Sequence, residues 1–470
     1  MLSGMRLQTL LPVLAVLGLP AAALAAPDFI AAHQETVANL TQFVRIDTSS
    51  PPGNETKAAL FLQVLLAKEG IESEILGADP KRSNLVARIK GSGKKQPILI
   101  MGHTDVVGVE REKWATDPFD PVVKDGYLYA RGASDDKCMT TVCLEVMLLL
   151  KRQHVALDRD VIFVAEADEE SLSQGITYLV NQHWDKIACE FALNEGGTIL
   201  EEDGRIRYVG VATSEKVPRT LFVSAKGVSG HGSRPRPDNA VVHLCTAIAK
   251  IGAWQPPVRL NETTKAYFTR LAAISEGEEK WLFTHFEDPV VGGQIQEIFR
   301  RTEKYFYQNS ALRTSISPTV LKSGFRFNVI PGDGLATLDV RALPDEDMDA
   351  FVKTLDRLVD DPAITITRSE SSTFPATAPS GINTEMFAAL ERAQAAVFPG
   401  SATLPMMQVG ATDSSYLRVK GVHAYGLGTV SSTVDGGNRA HGNNERVNLA
   451  GIRPFLEFVY RAVVDVAGAK

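Results

Sequence analysis

The sequence predicts an α/β protein: a three-layer α/β/α domain around a mainly parallel sheet, interrupted by an inserted α+β domain. Short apolar runs alternate with amphipathic helical segments up to about residue 217, and the alternation returns after residue 370. Such alternation is typical of strand–helix–strand units. Between these regions, strand-like segments alternate polar and apolar residues, as strands with one solvent-facing side do. We therefore expect one domain, at residues 26–217 and 371–470, to be interrupted by a second at residues 218–370.

Apolar residues three and four apart, and short apolar runs, define the elements of the outer domain. The predicted helices are 28–44, 56–68, 134–152 and 175–183, and the predicted strands are 71–76, 85–89, 97–101, 161–165 and 191–193. In the last region, helices at 385–397 and from Glu445 onward accompany strands at 403–409 and 422–427. Ligands of such sheets bind beyond the carboxyl ends of the strands.

The inserted region has a different pattern. Strands are predicted at 221–225, 319–322, 335–340 and 364–367, with helices at 240–254 and 345–359. A polar stretch with helical character lies between them and ends near Asn309. Strands grouped with helices in this way indicate a separate α+β unit.

The first 25 residues have the composition of an export signal. Arg6 precedes an apolar run from Leu10 to Leu19, and the small residues Ala23 and Ala25 follow. A membrane anchor is the alternative, but the run is shorter than the ~20 residues that a spanning helix needs. We expect a signal peptide over residues 1–25, cleaved near Ala25. The mature protein would then be secreted, into the periplasm, with no membrane attachment.

Composition narrows the remaining classes. The chain has 470 residues, a net charge of −7 and four cysteines. No basic patch of the kind that binds nucleic acid is visible, so nucleic acid is not an expected partner. The cysteines lack the C-x-x-C spacing of a thiolate metal site. We expect all four to be buried small residues.

The first candidate site lies between residues 97 and 136. The strand at 97–101 delivers His103 and Asp105, which are two residues apart and therefore face the same side. Asp135 and Asp136 stand together at the start of the helix 134–152. Adjacent carboxylates at such a position are costly unless a cation or solvent neutralises them. Imidazole and carboxylate are ligands for Zn²⁺, so this stretch is interpreted as half of a metal site.

Further acidic residues follow neighbouring strands. Glu169 and Glu170 come after the strand at 161–165, and Glu195 ends the strand that begins at Phe191. His441 lies near the other end of the chain, in RAHGNNERV. One carboxylate of the 169–170 pair could bind a metal while the other takes a proton from water. Each cluster alone is weak evidence for a metal site. Their joint position at the ends of neighbouring strands makes the evidence stronger.

Seven motifs occur in the order typical of one family: GHTDVV, DGYLYARGASDDK, ADEES, ALNEGG, GHGSRP, NVIP and HGNNERV. On these motifs the chain resembles the aminoacylase, glutamate carboxypeptidase and succinyl-diaminopimelate desuccinylase family of di-zinc metallopeptidases. The segments LNETTKAYF and SGFRFNVIP make it most similar to the carboxypeptidase S branch. The resemblance covers essentially the whole mature chain. It implies that the inserted domain serves as a lid and as the interface of a homodimer.

The resemblance also implies roles for individual residues. One Zn²⁺ would be held by His103 and Glu195 and the other by Glu170 and His441. Asp135 would bridge the two ions, with a cis peptide to Asp136. Asp105 would orient and polarise His103. Glu169 would be the general base for a water nucleophile between the two zinc ions, for which Co²⁺ or Mn²⁺ could substitute.

Three more residues are implied to contact substrate. His231 would reach the site of the partner subunit and stabilise the developing oxyanion. Asn328 and Arg341 would grip the substrate, with the Arg341 guanidinium bound to a free carboxylate as a fork. The alternatives without a substrate contact are a loop-capping role for His231 and a surface position on a strand for Arg341.

The resulting expectation is an exported hydrolase that cleaves an amide bond adjacent to a free carboxylate, as a carboxypeptidase or dipeptidase does. An N-acyl-amino-acid amidohydrolase of the same family is the nearer alternative, so the substrate is a peptide or an N-acyl-amino acid. A periplasmic solute-binding protein without turnover is more distant. A serine hydrolase would need a G-x-S-x-G turn; the closest sequence, GVSGH, has His231 in place of the last glycine.

Overall fold

The computed structural model describes residues 27–370, 374–432 and 437–469. The predicted signal peptide at residues 1–25 lies outside these ranges. Across the described ranges, every helix is too short or too polar to cross a bilayer.

The described residues form helices and strands in alternation. The helices are Phe29–Phe43 (α1), Glu55–Lys68 (α2), Lys137–Arg152 (α3), Gln174–Gln182 (α4), Trp184–Ile187 (α5), Ala240–Ala253 (α6), Glu262–Ala273 (α7), Gly277–His285 (α8), Gly292–Arg301 (α9), Phe306–Ala311 (α10), Met348–Val359 (α11), Glu385–Val397 (α12), Ser414–Val419 (α13) and Leu449–Ala467 (α14). The strands are Ser49–Ser50 (β1), Ser73–Asp79 (β2), Arg82–Ile89 (β3), Ile98–His103 (β4), Val106–Val107 (β5), Val122–Lys124 (β6), Tyr127–Tyr129 (β7), Val161–Glu166 (β8), Phe191–Glu195 (β9), Thr198–Glu202 (β10), Arg205–Glu215 (β11), Val217–Lys226 (β12), Gly230–His231 (β13), Ser315–Ser323 (β14), Val329–Ile330 (β15), Asp333–Ala342 (β16), Ile364–Arg368 (β17), Ala402–Gln408 (β18), His423–Leu427 (β19), Val430–Ser432 (β20) and Arg446–Asn448 (β21).

The main sheet has the strand order β2-β3-β8-β4-β9-β19-β11-β10-β20, with β18 paired to β11. Its centre is parallel, because β4 runs parallel to both β8 and β9, and β9 runs parallel to β19. Ile98 and Ile100 of β4 join the core on the side of α3 and α14, whereas Leu99 and Met101 join the core on the side of α4. The predicted three-layer α/β/α architecture is therefore confirmed.

The inserted α+β sheet is also confirmed. It is antiparallel, with the order β14-β16-β12-β17. Alternate residues of its central strands, such as Leu221 and Leu338, pack against α6 and α11 in a core of their own. The boundaries at residues 218 and 370 remain a prediction.

Helices α7–α10 lie within the inserted region of the chain but pack against the main sheet. Phe268 and Phe299 belong to a core that also contains Leu404 of β18. The Tyr307 hydroxyl donates to the Met407 carbonyl at 2.9 Å. At the junction of β11 and β12, the buried Lys216 Nζ donates to Ser310 Oγ at 3.1 Å and to Ser315 Oγ at 3.0 Å. Helical periodicity alone did not indicate which sheet this stretch would join.

Two further expectations from sequence are wrong. The last helix begins at Leu449 and not at Glu445, because residues Arg446–Asn448 pair with β7 and the Asn448 side chain caps the helix. Cys245 is exposed on α6, whereas the other three cysteines are buried as expected. All four are free thiols.

Candidate metal centre

The candidate residues lie at the carboxyl ends of strands in the main sheet. His103 is the last residue of β4, and Glu195 is the last residue of β9. The loop after β8 carries Glu169 and Glu170. Parallel pairing of β8, β4 and β9 brings these ends to one edge, as expected for ligand sites of such sheets.

Asp135 lies between two histidines. Its Oδ1 atom is 3.1 Å from His103 Nε2, and its Oδ2 atom is 3.1 Å from His441 Nε2. His441 Nε2 is also 3.0 Å from Glu170 Oε1. The peptide between Asp135 and Asp136 is cis, as the resemblance implies. One carboxylate thus connects residues that are more than 300 positions apart in the chain, in the arrangement that a bridging ligand requires.

The donor atoms form three overlapping groups, each within 4.8 Å. These are His103, Asp136 and Glu195; His103, Glu169 and Glu170; and Asp135, Glu170 and His441. The five predicted ligands are therefore brought together, and Asp136 also lies among them. All donors are nitrogen or oxygen atoms, which suits Zn²⁺ and also Co²⁺ or Mn²⁺. The residues present fit a pair of such ions.

The charges of the cluster are mutually dependent. Hydrogen bonds to Asp135 and Glu170 raise the pKa of His441 to about 10. Burial lowers the pKa of His103, but hydrogen bonds to Asp105 and Asp135 outweigh burial and hold it well above its ordinary value. Burial raises the pKa of Glu195 to about 8. Without a cation the cluster holds protons, and a bound metal would displace them.

Asp105 positions both the histidine and the glutamate pair. Its Oδ1 atom is 3.5 Å from His103 Nδ1, and its backbone carbonyl lies 3.0 Å from the same nitrogen. The backbone N–H groups of Glu169 and Glu170 donate to the Asp105 carboxylate at 3.1 and 3.0 Å. A histidine ligand oriented by a carboxylate is the usual arrangement around a catalytic metal.

Glu169 has the environment of a general base. Burial raises the pKa of its carboxyl well above the ordinary value, and the neighbouring charge of Glu195 adds to the increase. Positive charge from a bound metal pair would oppose this shift and leave a carboxylate able to exchange protons near neutral pH.

Sequence reasoning missed a buried ion pair beneath the cluster. Arg131 Nη1 lies 2.6 Å from Glu445 Oε2, and both side chains are almost fully buried. Glu445 also accepts hydrogen bonds from the backbone N–H groups of Gly132, Ser134 and Asp135 at 2.8–3.0 Å. Arg131 Nη2 donates to the carbonyls of His441 and Gly442. Arg131 lies in the motif DGYLYARGASDDK and Glu445 in the motif HGNNERV. Their positions inside two motifs that also contain candidate ligands could have indicated that they lie near the site.

The predicted substrate residues fall into two places. Arg341 lines a cavity of about 480 Å³ together with Glu169, Glu170 and His441, and its guanidinium pairs with Asp339 at 2.9 Å. Within the described residues His231 and Asn328 do not line this cavity. They lie together where β13 pairs with β15, with the Asn328 carbonyl accepting from the Gly232 N–H. Completion of a partner's site by His231 remains a prediction.

Comparison with known proteins assigns a context to this cluster. Residues 99–465 match the profile of peptidase family M20/M25/M40. Human N-fatty-acyl-amino acid synthase/hydrolase PM20D1 is 25% identical, over 92% of this chain and 87% of the relative. Mouse aminoacylase-1 is 28% identical, over 87% of this chain and 89% of the relative.

A solved structure shares the fold. The M20 family metallo-carboxypeptidase Sso-CP2 from Sulfolobus solfataricus superposes with a TM-score of 0.67 at 17% identity. The superposition covers 92% of this chain and 99% of that one, so the fold is similar over both domains.

Proposed function

The chain belongs to peptidase family M20/M25/M40, and on this premise we propose that it hydrolyses an amide bond adjacent to a free carboxylate, as a carboxypeptidase or dipeptidase. It is a metal-dependent peptidase or amidohydrolase.

One observation carries this proposal: the Asp135 carboxylate lies 3.1 Å from both His103 and His441. His103 and Glu195 would hold one Zn²⁺, Glu170 and His441 the other, and Asp135 both. When bound, two such ions supply positive charge that polarises a carbonyl and lowers the pKa of water.

The protein side chains account for the remaining chemistry. Glu169 accepts a proton from the attacking water and returns it to the departing amine. Asp105 keeps His103 and the backbone of Glu169 in place through the contacts described above. Arg341, in the same cavity as Glu169, binds the free carboxylate of the substrate. Substrate is thus positioned with its amide bond near the general base.

An N-acyl-amino-acid amidohydrolase is the second candidate. Mouse aminoacylase-1 and human N-fatty-acyl-amino acid synthase/hydrolase PM20D1 are among the similar proteins. Both candidate substrate classes have a carboxylate beside the scissile amide, so the same contact with Arg341 serves either one.

We further propose export and dimerisation. The sequence of residues 1–25 supports secretion into the periplasm with cleavage near Ala25. The inserted sheet supports a homodimer interface, because Phe325 and Phe327 are 86% and 97% exposed on the loop that leads to Asn328. Burial of two aromatic side chains is a common basis of association. In such a dimer His231 would complete the site of the partner subunit.

The decisive experiment combines metal analysis with a substrate screen. Purified protein is tested on dipeptides and N-acyl-amino acids, each with a free or an amidated C-terminal carboxylate. We expect two metal ions per chain, loss of activity with a chelator, and faster hydrolysis of the free acids than of their amidated analogues. Binding without turnover would favour a solute-binding protein, and inhibition by a serine-directed reagent would favour a serine hydrolase.

A further inference from the structure

Two cavities meet at the metal centre. The first, here called the Arg341 chamber, is the cavity of about 480 Å³ that contains Arg341, Glu169 and Glu170. The second, here called the Asn438 chamber, has a volume of about 470 Å³. It is lined beside the cluster by Thr198, Thr429, Ser431, Asn438 and Arg439. Asp135, Glu195 and Gln408 line both chambers, so these three residues mark the junction.

Gln408 presents a hydrogen-bond donor at this junction. It is the last residue of β18, and its backbone carbonyl accepts from the Lys216 N–H at 2.8 Å. Its side-chain Oε1 accepts from the Val409 N–H at 2.9 Å, so the acceptor end of the amide is already used. The opposite end is therefore the NH₂ group. Among the described residues, this Nε2 group donates no hydrogen bond to protein.

The Gln408 amide also lies beside a candidate metal ligand. A Cβ placed on Gly196 would be 3.6 Å from Gln408 Nε2, and Gly196 follows Glu195 directly. A substrate amide that passes from one chamber to the other would cross this point. Its carbonyl oxygen would come within reach of the free donor.

We propose that the Asn438 chamber binds the acyl part of the substrate and selects acyl groups that carry hydrogen-bonding substituents. Gln408 Nε2 donates to the substrate carbonyl oxygen at the junction, while the carboxylate part occupies the Arg341 chamber. The inference rests on the proposed function, because that function assigns the carboxylate to Arg341. It adds the class of acyl group: short hydroxyacyl or aminoacyl groups, in preference to alkyl chains.

The lining of the Asn438 chamber supports this selectivity. Hydroxyl groups come from Thr198, Thr429 and Ser431, and an amide comes from Asn438, whose Nδ2 donates to Thr429 Oγ1 at 3.1 Å. An alkyl chain would remove water from hydroxyl groups such as that of Thr198 without replacing its hydrogen bonds, which is unfavourable. An acyl group with a hydroxyl or amino substituent can replace them.

The test uses two acyl groups of nearly equal size, glycolyl and propionyl, on the same amino acid. They differ by a hydroxyl in place of a methyl group. For wild type we expect a higher kcat/KM on the glycolyl compound. Thr198→Val should lower the glycolyl/propionyl ratio by roughly 2- to 10-fold, the effect of one neutral hydrogen bond. Gln408→Met should weaken the binding of both substrates by a similar factor, because both contain the carbonyl group that Gln408 is proposed to contact.

Binding is measured separately in the Glu169→Gln background by calorimetry, so that affinity is obtained without turnover. Arg341→Met is the matched control from the other chamber, and it should weaken both compounds while leaving their ratio unchanged. The assignment of the Asn438 chamber would be overturned if the glycolyl/propionyl ratio of kcat/KM were equal in wild type and Thr198→Val. It would also be overturned if wild type preferred the propionyl compound. Unchanged binding in Gln408→Met would overturn the junction contact. Binding of both compounds without hydrolysis by wild type would instead contradict the proposed function.

Discussion

Arg131 and Glu445 form a buried ion pair, 2.6 Å from Nη1 to Oε2, that connects the loop of Asp135 to the loop of His441. Glu445 binds the backbone N–H of Asp135, and Arg131 binds the carbonyl of His441. The pair therefore sets the distance between two candidate metal ligands without being a ligand itself. Groups behind the ligands commonly tune metal affinity in this way.

Glu445→Gln should weaken metal binding about 10- to 100-fold. It should also destabilise the protein by about 3–5 kcal/mol, because the Arg131 charge would remain buried without its partner. Metal titration and chemical denaturation measure the two effects. The control is Glu457→Gln, which breaks the partly exposed pair with Arg461 and should cost about 1 kcal/mol or less. Unaltered metal affinity in Glu445→Gln would contradict the positioning role.

Glu169→Gln should retain both metals and lose turnover by about 10²–10⁴-fold, the usual contribution of a general base. The amide has the shape of the carboxylate but accepts no proton from water. Metal analysis and steady-state kinetics test this together. Glu287→Gln, at an exposed position of the inserted region, serves as the matched control. Full activity of the Glu169 variant would refute the assignment.

Metal binding should release protons near neutral pH. His441 has a pKa of about 10 and Glu195 a pKa of about 8 in the metal-free cluster, so both hold protons at pH 7. Calorimetry in buffers of different ionisation enthalpy counts the protons released. The count should be smaller at pH 8.5 than at pH 7, because Glu195 loses its proton between these values.

The matched variants for this experiment are His441→Ala and His285→Ala. The first should lower both the number of bound metal ions and the number of protons released. The second changes a histidine whose side chain, within the part of the chain that the structure describes, bonds to the Trp281 carbonyl of its own helix, and it should behave as wild type. Equal metal content in all three proteins would exclude His441 as a ligand.

Arg341→Ala should raise KM by about 10-fold or more for substrates with a free carboxylate, since a charge-assisted contact is lost. The effect on kcat should be smaller. Amidated analogues provide the comparison, because the fork has no carboxylate to bind in them. A similar change in KM for free and amidated substrates would show that Arg341 does not bind the carboxylate.

Glu145 should make stability depend on pH at a distance from the metal centre. Neither of its carboxylate oxygens has a hydrogen-bond partner among the described residues, and burial raises the pKa from 4.5 to about 8. The folded state therefore keeps a proton that the unfolded chain loses, and stability declines as pH rises from about 4.5 towards 8.

Glu145→Gln removes this titration. Its Tm should exceed that of wild type by roughly 2–4 °C at pH 8.5, with a smaller difference at pH 5. Thermal denaturation at the two pH values measures the effect. Glu112→Gln, at an exposed position, should show no such pH dependence. A Tm difference that is the same at both pH values would contradict a raised pKa of Glu145.

Much of the main sheet follows from sequence because buried strands and amphipathic helices leave distinct periodicities. The positions of His103 and Glu195 at strand ends could be predicted for that reason. The structure brings both residues to one edge of the main sheet. The predicted contact of Asp135 with His441 came from the ordered motifs. Their separation along the chain says nothing about how close the two residues lie in space. Periodicity shows which face of a segment is buried and not what covers it.

That limit explains what was missed. Glu445 was placed in a helix because its neighbours are apolar at helical spacing, but its carboxylate is used by the backbone of residues 132–135. The stretch of α7–α10 shows helical periodicity, and only tertiary packing assigns it to β18. His231 lies away from the cluster in one chain, and a role for it at the site of a partner subunit stays a prediction.

The packing of α7–α10 has a mechanical consequence. The chain passes between the inserted sheet and the main body four times, at β11–β12, α6–α7, α10–β14 and after β17. A rigid swing of the inserted sheet about two hinge peptides would therefore strain the two extra crossings, one of which Lys216 ties to β14 through Ser315. Any movement of the inserted sheet relative to the main body has to be accommodated at all four crossings, and not at two.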